Sequence, residues 1–304
     1  MQDKCLVLLC TYNGEQYLRE QIDSVLAQTG IETHIKCADD CSTDGTVGIL
    51  AEYKERYPDR FDYAVNENNK RFTYNFLDLF FSTADTDYDY YAFCDQDDYW
   101  LPEKLLRATE KIREAGDSPR GVFYCSNLTV ADENLQKIGM QETPEAIAKV
   151  TRRSILVENI ATGCTVVIDR AFHRQALRYY PQGIELHDYW FFLIASFTAQ
   201  VVYDPEAYIL YRQHGTNQIG TNKRKWTRAN IRKFFRMKGR QSVLMRELLN
   251  GYAEDIPEAD RRRMTDIRDY RTHFGIRLKL LFDPTFRKRN HNLILKLRVL
   301  TGKL

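Results

Sequence analysis

Six aspartates fall in two short clusters. Asp39, Asp40 and Asp44 lie in the run Ala38-Asp39-Asp40-Cys41-Ser42-Thr43-Asp44-Gly45-Thr46, and Asp95, Asp97 and Asp98 lie in Cys94-Asp95-Gln96-Asp97-Asp98-Tyr99-Trp100. Closely spaced carboxylates offer the oxygen ligands that Mg²⁺ or Mn²⁺ takes when it also binds substrate phosphate. Without a cation between them, such acids would repel a diphosphate. The chain has neither G-x-G-x-x-G nor G-x-x-x-x-G-K-[ST], so phosphate binding by a glycine-rich loop is disfavoured. The plain alternative for the second cluster is a solvated acidic turn, or a cap for a helix starting near Pro102. It is weakened because the cluster ends an apolar run and leads into Tyr99 and Trp100. Farther along, Asp188 precedes the apolar residues 189–195. Trp190 and Phe191 there would exclude water and raise its pKa, as suits a group that must accept a proton near neutral pH. His187 is a second candidate base, with a packing or capping role as its bland reading.

The elements that position these residues follow from periodicity. Residues 4–10 form a continuous apolar run that ends in Thr11-Tyr12-Asn13-Gly14, the pattern of a strand buried on both faces. Leu18, Ile22, Val25 and Leu26 recur at helical spacing, with Gly30 as a stop. A strand over 33–38, a helix over 47–57, a strand over 61–65, a helix over 74–81 and a strand over 90–94 continue the alternation. That order indicates an α/β fold, a mostly parallel central sheet with helices on both faces. In such sheets ligands sit beyond the carboxyl ends of the strands, and that is where residues 11–15, 39–46 and 95–98 fall. Residues 121–126 and 165–168 read as further strands, 188–197 as an apolar helix, and 200–203 and 208–212 as short extended segments. Beyond about residue 221 the chain reads as basic helices, the longest over 228–252 and 260–282.

Composition excludes the non-globular classes: 304 residues are 43% hydrophobic and 28% charged. The net charge of +2 hides polarity, since residues 221–304 hold 23 Lys/Arg against 8 Asp/Glu. No stretch approaches the roughly 18 apolar residues of a membrane span, and the apolar N-terminal run is too short for a signal peptide. A cytoplasmic location is the expectation. Seven cysteines, most inside apolar runs, read as buried thiols. Cys37 and Cys41 lack a second pair, which disfavours zinc.

Cys10-Thr11-Tyr12-Asn13-Gly14-Glu15 and the two aspartate motifs resemble the nucleotide-sugar-binding motifs of the family 2 inverting glycosyltransferases, which have the glycosyltransferase A fold. Thr162-Gly163-Cys164 resembles the acceptor-side glycine segment of that family, and His187-Asp188-Tyr189-Trp190 the segment with the catalytic base. Tyr211-Arg212-Gln213-His214-Gly215-Thr216-Asn217 resembles the closing loop of bacterial rhamnosyltransferase-like members. The likeness covers about residues 4–220. The resemblance implies a nucleotide-sugar site of Thr11, Tyr12, Asn13, Glu15, Asp40, Asp95, Gln96 and Arg212, with Tyr12 stacking on the base and Asp40 accepting its N3–H. It also implies Asp188 as catalytic base, with Gly163, Cys164 and Trp190 on the acceptor side. A divalent Mg or Mn ion would be held among Asp95, Asp97, Asp98 and His214. Asp39 and Asp44 have turn-holding roles as their simpler reading. The family often has Glu before the base, and here His187 stands in its place.

These readings make residues 1–220 a catalytic glycosyltransferase domain and 221–304 a basic helical C-terminal extension. The implied reaction moves rhamnose from dTDP-rhamnose, or another sugar from dTDP or UDP, to a lipid-linked cell-surface polysaccharide. Lys223-Arg224-Lys225-Trp226 and the cations and rings of 228–236, with 287–289 and 293–300, suit an anionic membrane surface at its inner face. Packing on the catalytic domain, or on a second copy in a homodimer, is the alternative. Nucleic acid is disfavoured because the acidic first 220 residues would repel it. Two rival functions remain: a catalytically silent nucleotide-sugar-binding subunit, for which Asp188 would be dispensable, and a peripheral membrane adaptor, for which the acidic motifs would be incidental.

Overall fold

The computed structural model describes residues 2–214, 240–284, 286–288 and 292–304. The first half of the chain alternates strand and helix as its periodicity indicates: β1 (Lys4–Thr11), α1 (Leu18–Leu26), β2 (Glu32–Asp39), α2 (Thr46–Arg56), β3 (Phe61–Val65), α3 (Arg71–Phe81) and β4 (Tyr90–Cys94). A two-residue strand β5 (Tyr99–Trp100) precedes α4 (Lys104–Glu114). Then come β6 (Val122–Ala131), β7 (Lys137–Met140), α5 (Pro144–Ile147), β8 (Val167–Asp169), α6 (Arg170–Ala176), α7 (His187–Thr198) and β9 (Gln200–Arg212). The sheet runs in the order β3-β2-β1-β4-β8-β6-β9-β5, with β7 on β6. β3, β2, β1 and β4 are mutually parallel. β8 then runs antiparallel to both β4 and β6, while β6 and β9 pair parallel.

Alternation along β1 explains its unbroken apolar run. Cys5, Val7 and Leu9 face one core with Leu18, Ile22 and Val25 of α1 and Leu105, Ala108 and Ile112 of α4. Leu6, Leu8 and Cys10 face the other with Phe76 and Phe80 of α3 and the apolar residues of α7. Both faces are covered, so hardly any position on this strand tolerates a polar side chain. Truncating the fully buried Leu8 to alanine would cost about 2–5 kcal/mol.

Three expectations need amendment. The two short segments 200–203 and 208–212 are one strand, β9, whose pairing with β6 shifts register between Ser126 and Asn127, opposite Pro205. Proline lacks the N–H that a ladder uses, so the strand bulges there instead of ending. The strand start at 165 is instead a 3-10 turn, Gly163–Thr165, ahead of β8. The helix over 260–282 is interrupted: α9 (Glu258–Asp269) and α10 (Phe274–Phe282) are separate. The Thr272 hydroxyl, bonded to the Asp269 carbonyl, competes with helix continuation between them.

Helix α8 (Arg240–Tyr252) precedes these two, and α11 (Asn292–Leu300) follows them. Leu244, Met245 and Leu248 of α8, with Tyr252, Met264, Ile267, Leu280, Leu295 and Val299, belong to the same core as Phe76 and Trp190. The boundary expected at 220, the basic run from Lys223 to Arg236, and the first half of the helix expected from 228 lie outside the described residues.

Candidate active site

A cleft of about 940 Å³ opens at the carboxyl ends of β1, β2 and β4. The loop after β1 is fastened from both sides. Gln96 accepts from the Tyr12 N–H through Oε1 at 2.7 Å and donates through Nε2 to the Tyr12 carbonyl at 3.1 Å. This double contact needs Gly14, because a Cβ there would lie 2.4 Å from Gln96 Oε1. The Thr11 hydroxyl donates to Asp39 Oδ2 at 2.8 Å, and Asn13 Oδ1 accepts from the Thr43 N–H at 2.8 Å. Thr11, Asn13 and Gln96 therefore line the cleft while their polar groups hold its shape. The Tyr12 ring, 44% exposed, stands free at the rim.

Asp39 and Asp44 hold their turn, as their simpler reading has it. Asp39 accepts from the Ser42 N–H and hydroxyl, and Asp44 from the Thr46 N–H and hydroxyl. Asp40 differs. Its Oδ1 accepts from the Lys70 N–H at 2.8 Å and from Asn66 Nδ2 at 3.0 Å, and the residue faces the cleft. Glu15 is a correction. Its Oε2 accepts from the Gly45 N–H at 2.6 Å, and the side chain lies on an outer concavity with Arg19 and Glu52, away from the cleft.

The second acidic cluster spans the floor. Asp95 and Asp97 line the cleft, whereas Asp98 is wholly buried beneath it. Burial, with Asp97 and Asp188 nearby, pushes the Asp95 carboxyl up to about 7. Burial and the charges of Asp97 and Asp95 push Asp98 well above the usual carboxylate range. Ligand atoms of Asp95, Asp98 and Cys164 lie within 4.8 Å of one another, and Asp98 Oδ2 has no hydrogen-bond partner. An orphaned buried carboxylate oxygen beside a second carboxylate fits a divalent cation, whose charge would relieve their repulsion. Burial holds the Cys164 thiol well above its ordinary value, so the oxygens are the suitable donors for Mg²⁺ or Mn²⁺. His214 faces the same cleft, with Nε2 2.8 Å from Asp97 Oδ2.

Arg212 does not face the cleft, against expectation. Its guanidinium reaches Glu20 and the carbonyls of Asp97 and Glu133, and lies over the Tyr17 ring. Its backbone N–H donates to Asp98 Oδ1 at 3.1 Å. These contacts make it a brace for the acidic loop. Among the described residues, Arg71 is the Lys or Arg that lines the cleft. Sequence reasoning passed it over because it belongs to none of the quoted motifs and adopts a left-handed φ of 66°.

Asp188 sits in the first turn of α7 and faces the same cleft, near enough to Asp95 for their charges to interact. Burial raises its pKa to about 6, against the pull of the Tyr189 N–H and of Arg240. His187, 5% exposed, stacks on Phe76 with centroids 4.0 Å apart. Neither ring nitrogen has a hydrogen-bond partner, and burial drops its pKa to about 3. Gly163 makes room for it, since a Cβ there would lie 3.0 Å from His187 Nε2. Trp190 and Cys164 depart from the expected acceptor side. Trp190 is fully buried near Tyr179 and Tyr252, and Cys164 lies under the floor. The helical period turns Trp190 inward when Asp188 faces out.

Residues 6–197 match the family model described as Glycosyl transferase family 2. The chain belongs to glycosyl transferase family 2. Among relatives of this family 2 protein is the dTDP-rhamnosyl transferase RfbG of Shigella flexneri, 27% identical over 270 residues, covering 80% of this chain and 89% of that protein. Among solved structures, TarS 1-349 of S. aureus in complex with UDP superposes with a TM-score of 0.57 at 20% identity, covering 90% of this chain and 72% of that one. The mannosyltransferase PcManGT from Pyrobaculum calidifontis, in complex with GDP-Man and Mn2+, gives a TM-score of 0.56 at 15% identity, covering 99% and 76%. The fold of this family 2 enzyme is accordingly glycosyltransferase A. No helix among the described residues is long and apolar enough to cross a membrane.

Proposed function

We propose that this family 2 glycosyltransferase moves rhamnose from dTDP-rhamnose, with inversion, to a hydroxyl of a lipid-linked cell-surface polysaccharide. The observation that carries the reading is one cleft lined by Tyr12, Asp40, Asp95, Asp97 and Asp188. Likeness to a dTDP-rhamnosyl transferase over most of both chains supports the donor. So do Phe72, Phe76, Ile160 and Leu186, which line the cleft, the two phenyl rings against His187, and suit the methyl group of a 6-deoxy sugar.

In the reaction the acceptor oxygen bonds to the anomeric carbon as the bond from that carbon to the diphosphate oxygen breaks. Asp188 takes the acceptor proton, and a carboxyl raised to about 6 is ionised at neutral pH while remaining a useful base. Asp40 accepts the N3–H of thymine or uracil through Oδ2, while its Oδ1 is held by the Lys70 N–H and Asn66 Nδ2. Asp95, with Asp98 or Asp97, would hold a divalent cation, which when bound would supply positive charge against the diphosphate leaving group. Arg71 supplies charge on the cleft wall, and His214 fixes Asp97.

The reading is tested by thermal stabilisation with a panel of nucleotide sugars, with and without Mn²⁺, followed by transfer assays with the best donor. Preferential stabilisation by dTDP-rhamnose and release of dTDP in the presence of acceptor are expected. Equal response to purine and pyrimidine donors would overturn the donor assignment.

A further inference from the structure

Ten large hydrophobic side chains are exposed among the described residues, and six sit on α10 and α11: Phe274, Leu278, Phe282, Leu293, Leu297 and Leu300. Their positions recur at four-, four-, four- and three-residue steps, so each trio occupies one face of its helix. The opposite faces carry Leu280 on α10 and Leu295 and Val299 on α11, all buried in the main core. The two helices pack against each other. Anchored inward through the same core, both must present their exposed trios away from it. Isolated surface leucines need no explanation, but six on two adjoining helices form a patch of the kind that marks an interaction site.

The charge around the patch says what covers it. Residues 270–304 contain nine Lys/Arg and one acidic residue, Asp283. That carboxylate is largely buried and paired with Arg263 at 2.9 Å. Arg271, Arg287 and Lys296 are exposed on or beside the two helices, and Lys279, also exposed, pairs with Asp266 of α9. A second copy docked face to face would bring cations against cations, whereas an anionic lipid surface complements them. Short helices with an outward apolar face and flanking cations can lie in the plane of a bilayer interface without crossing it.

We propose that α10 and α11 form a membrane-docking face, on which Phe274, Phe282 and Leu293 enter the headgroup boundary of an anionic bilayer while the surrounding cations contact lipid phosphates. The inference gives the lipid-linked acceptor reading a physical setting, but it is tested without donor or acceptor and stands or falls separately. It also locates docking on these helices rather than on the basic run 223–236.

The test uses the full chain with vesicles of phosphatidylcholine alone and of phosphatidylcholine with about one third phosphatidylglycerol. Co-sedimentation should show binding to the anionic vesicles that weakens as salt rises. The triple variant Phe274→Ser, Phe282→Ser, Leu293→Ser should bind them about tenfold or more weakly, because interfacial affinity scales with buried apolar area. Its unfolding temperature and its stabilisation by donor nucleotide should stay at wild-type values, which shows that the enzyme is intact. Wild-type affinity in the triple variant would overturn the proposal, as would absence of vesicle binding by the wild type. Light scattering that shows a dimer dissociated by the same substitutions, with no lipid binding, would assign the face to a second copy instead.

Discussion

The imidazole of His187 lies nearly parallel to the ring of Phe76, 4.0 Å away, and this stack holds two unpartnered ring nitrogens at the wall of the cleft beside Asp188. Both nitrogens are closed off from solvent and without a partner, a costly arrangement that an apolar ring of similar shape would relieve. With its pKa depressed to about 3, the ring stays neutral above about pH 4 and offers one donor and one acceptor. His187→Phe should keep the stack and leave stability unchanged or raised. Transfer should stay within about twofold of wild type, as expected of a packing residue. A loss of tenfold or more would make the ring a hydrogen-bonding partner of the substrate.

Asp188→Asn should preserve donor binding while lowering turnover by about 10²–10⁴-fold, the usual contribution of a general base. In the wild type the base must be ionised. With its pKa raised to about 6, kcat/KM should be level above about pH 7 and fall tenfold per pH unit well below 6. A pH profile flat down to 5 would remove Asp188 from the base role.

Arg71 and Arg212 should separate by phenotype. Arg71→Ala should weaken diphosphate binding by about 1.5–3 kcal/mol, the range for hydrogen bonds to charged groups, with little change in stability. Arg212→Ala deprives Glu20 and the Asp97 and Glu133 carbonyls of their donor, so it should cost about 1–3 kcal/mol of folding stability. Nucleotide titrations and thermal melts on both variants distinguish the two roles.

Asp40→Asn keeps size and one acceptor but loses charge, and should reduce dTDP affinity by about 1.5–3 kcal/mol. The effect should be absent with ADP, which lacks the N3–H. A uniform loss across nucleotides would instead show that the substitution disturbed Lys70 and Asn66.

Excess EDTA should abolish most dTDP or UDP binding if a cation links the diphosphate to Asp95 and its neighbours. Asp98→Asn should raise the metal concentration needed for half-maximal donor binding. Undiminished nucleotide affinity in EDTA would take the metal out of the donor site.

Local patterning by itself determined the strand and helix order through β4, because a strand covered on both faces must read as unbroken apolar sequence and its ligand loop as polar. The same rule placed Asp40, Asp95 and Asp97 at strand ends, and the turn before an apolar helix singled out Asp188; all four line the cleft. What sequence could not decide was direction. Glu15 and Arg212 sit inside the right motifs, yet their side chains turn to Gly45 and Glu20, since loop conformation sets where a side chain points. Trp190 is two residues from Asp188 and faces the core, because successive helical positions diverge by about 100°. Arg71, the stack of His187 on Phe76, and the joining of β9 to β6 depend on segments far apart in the chain. Such contacts leave no local periodicity and form only when the sheet closes over both cores.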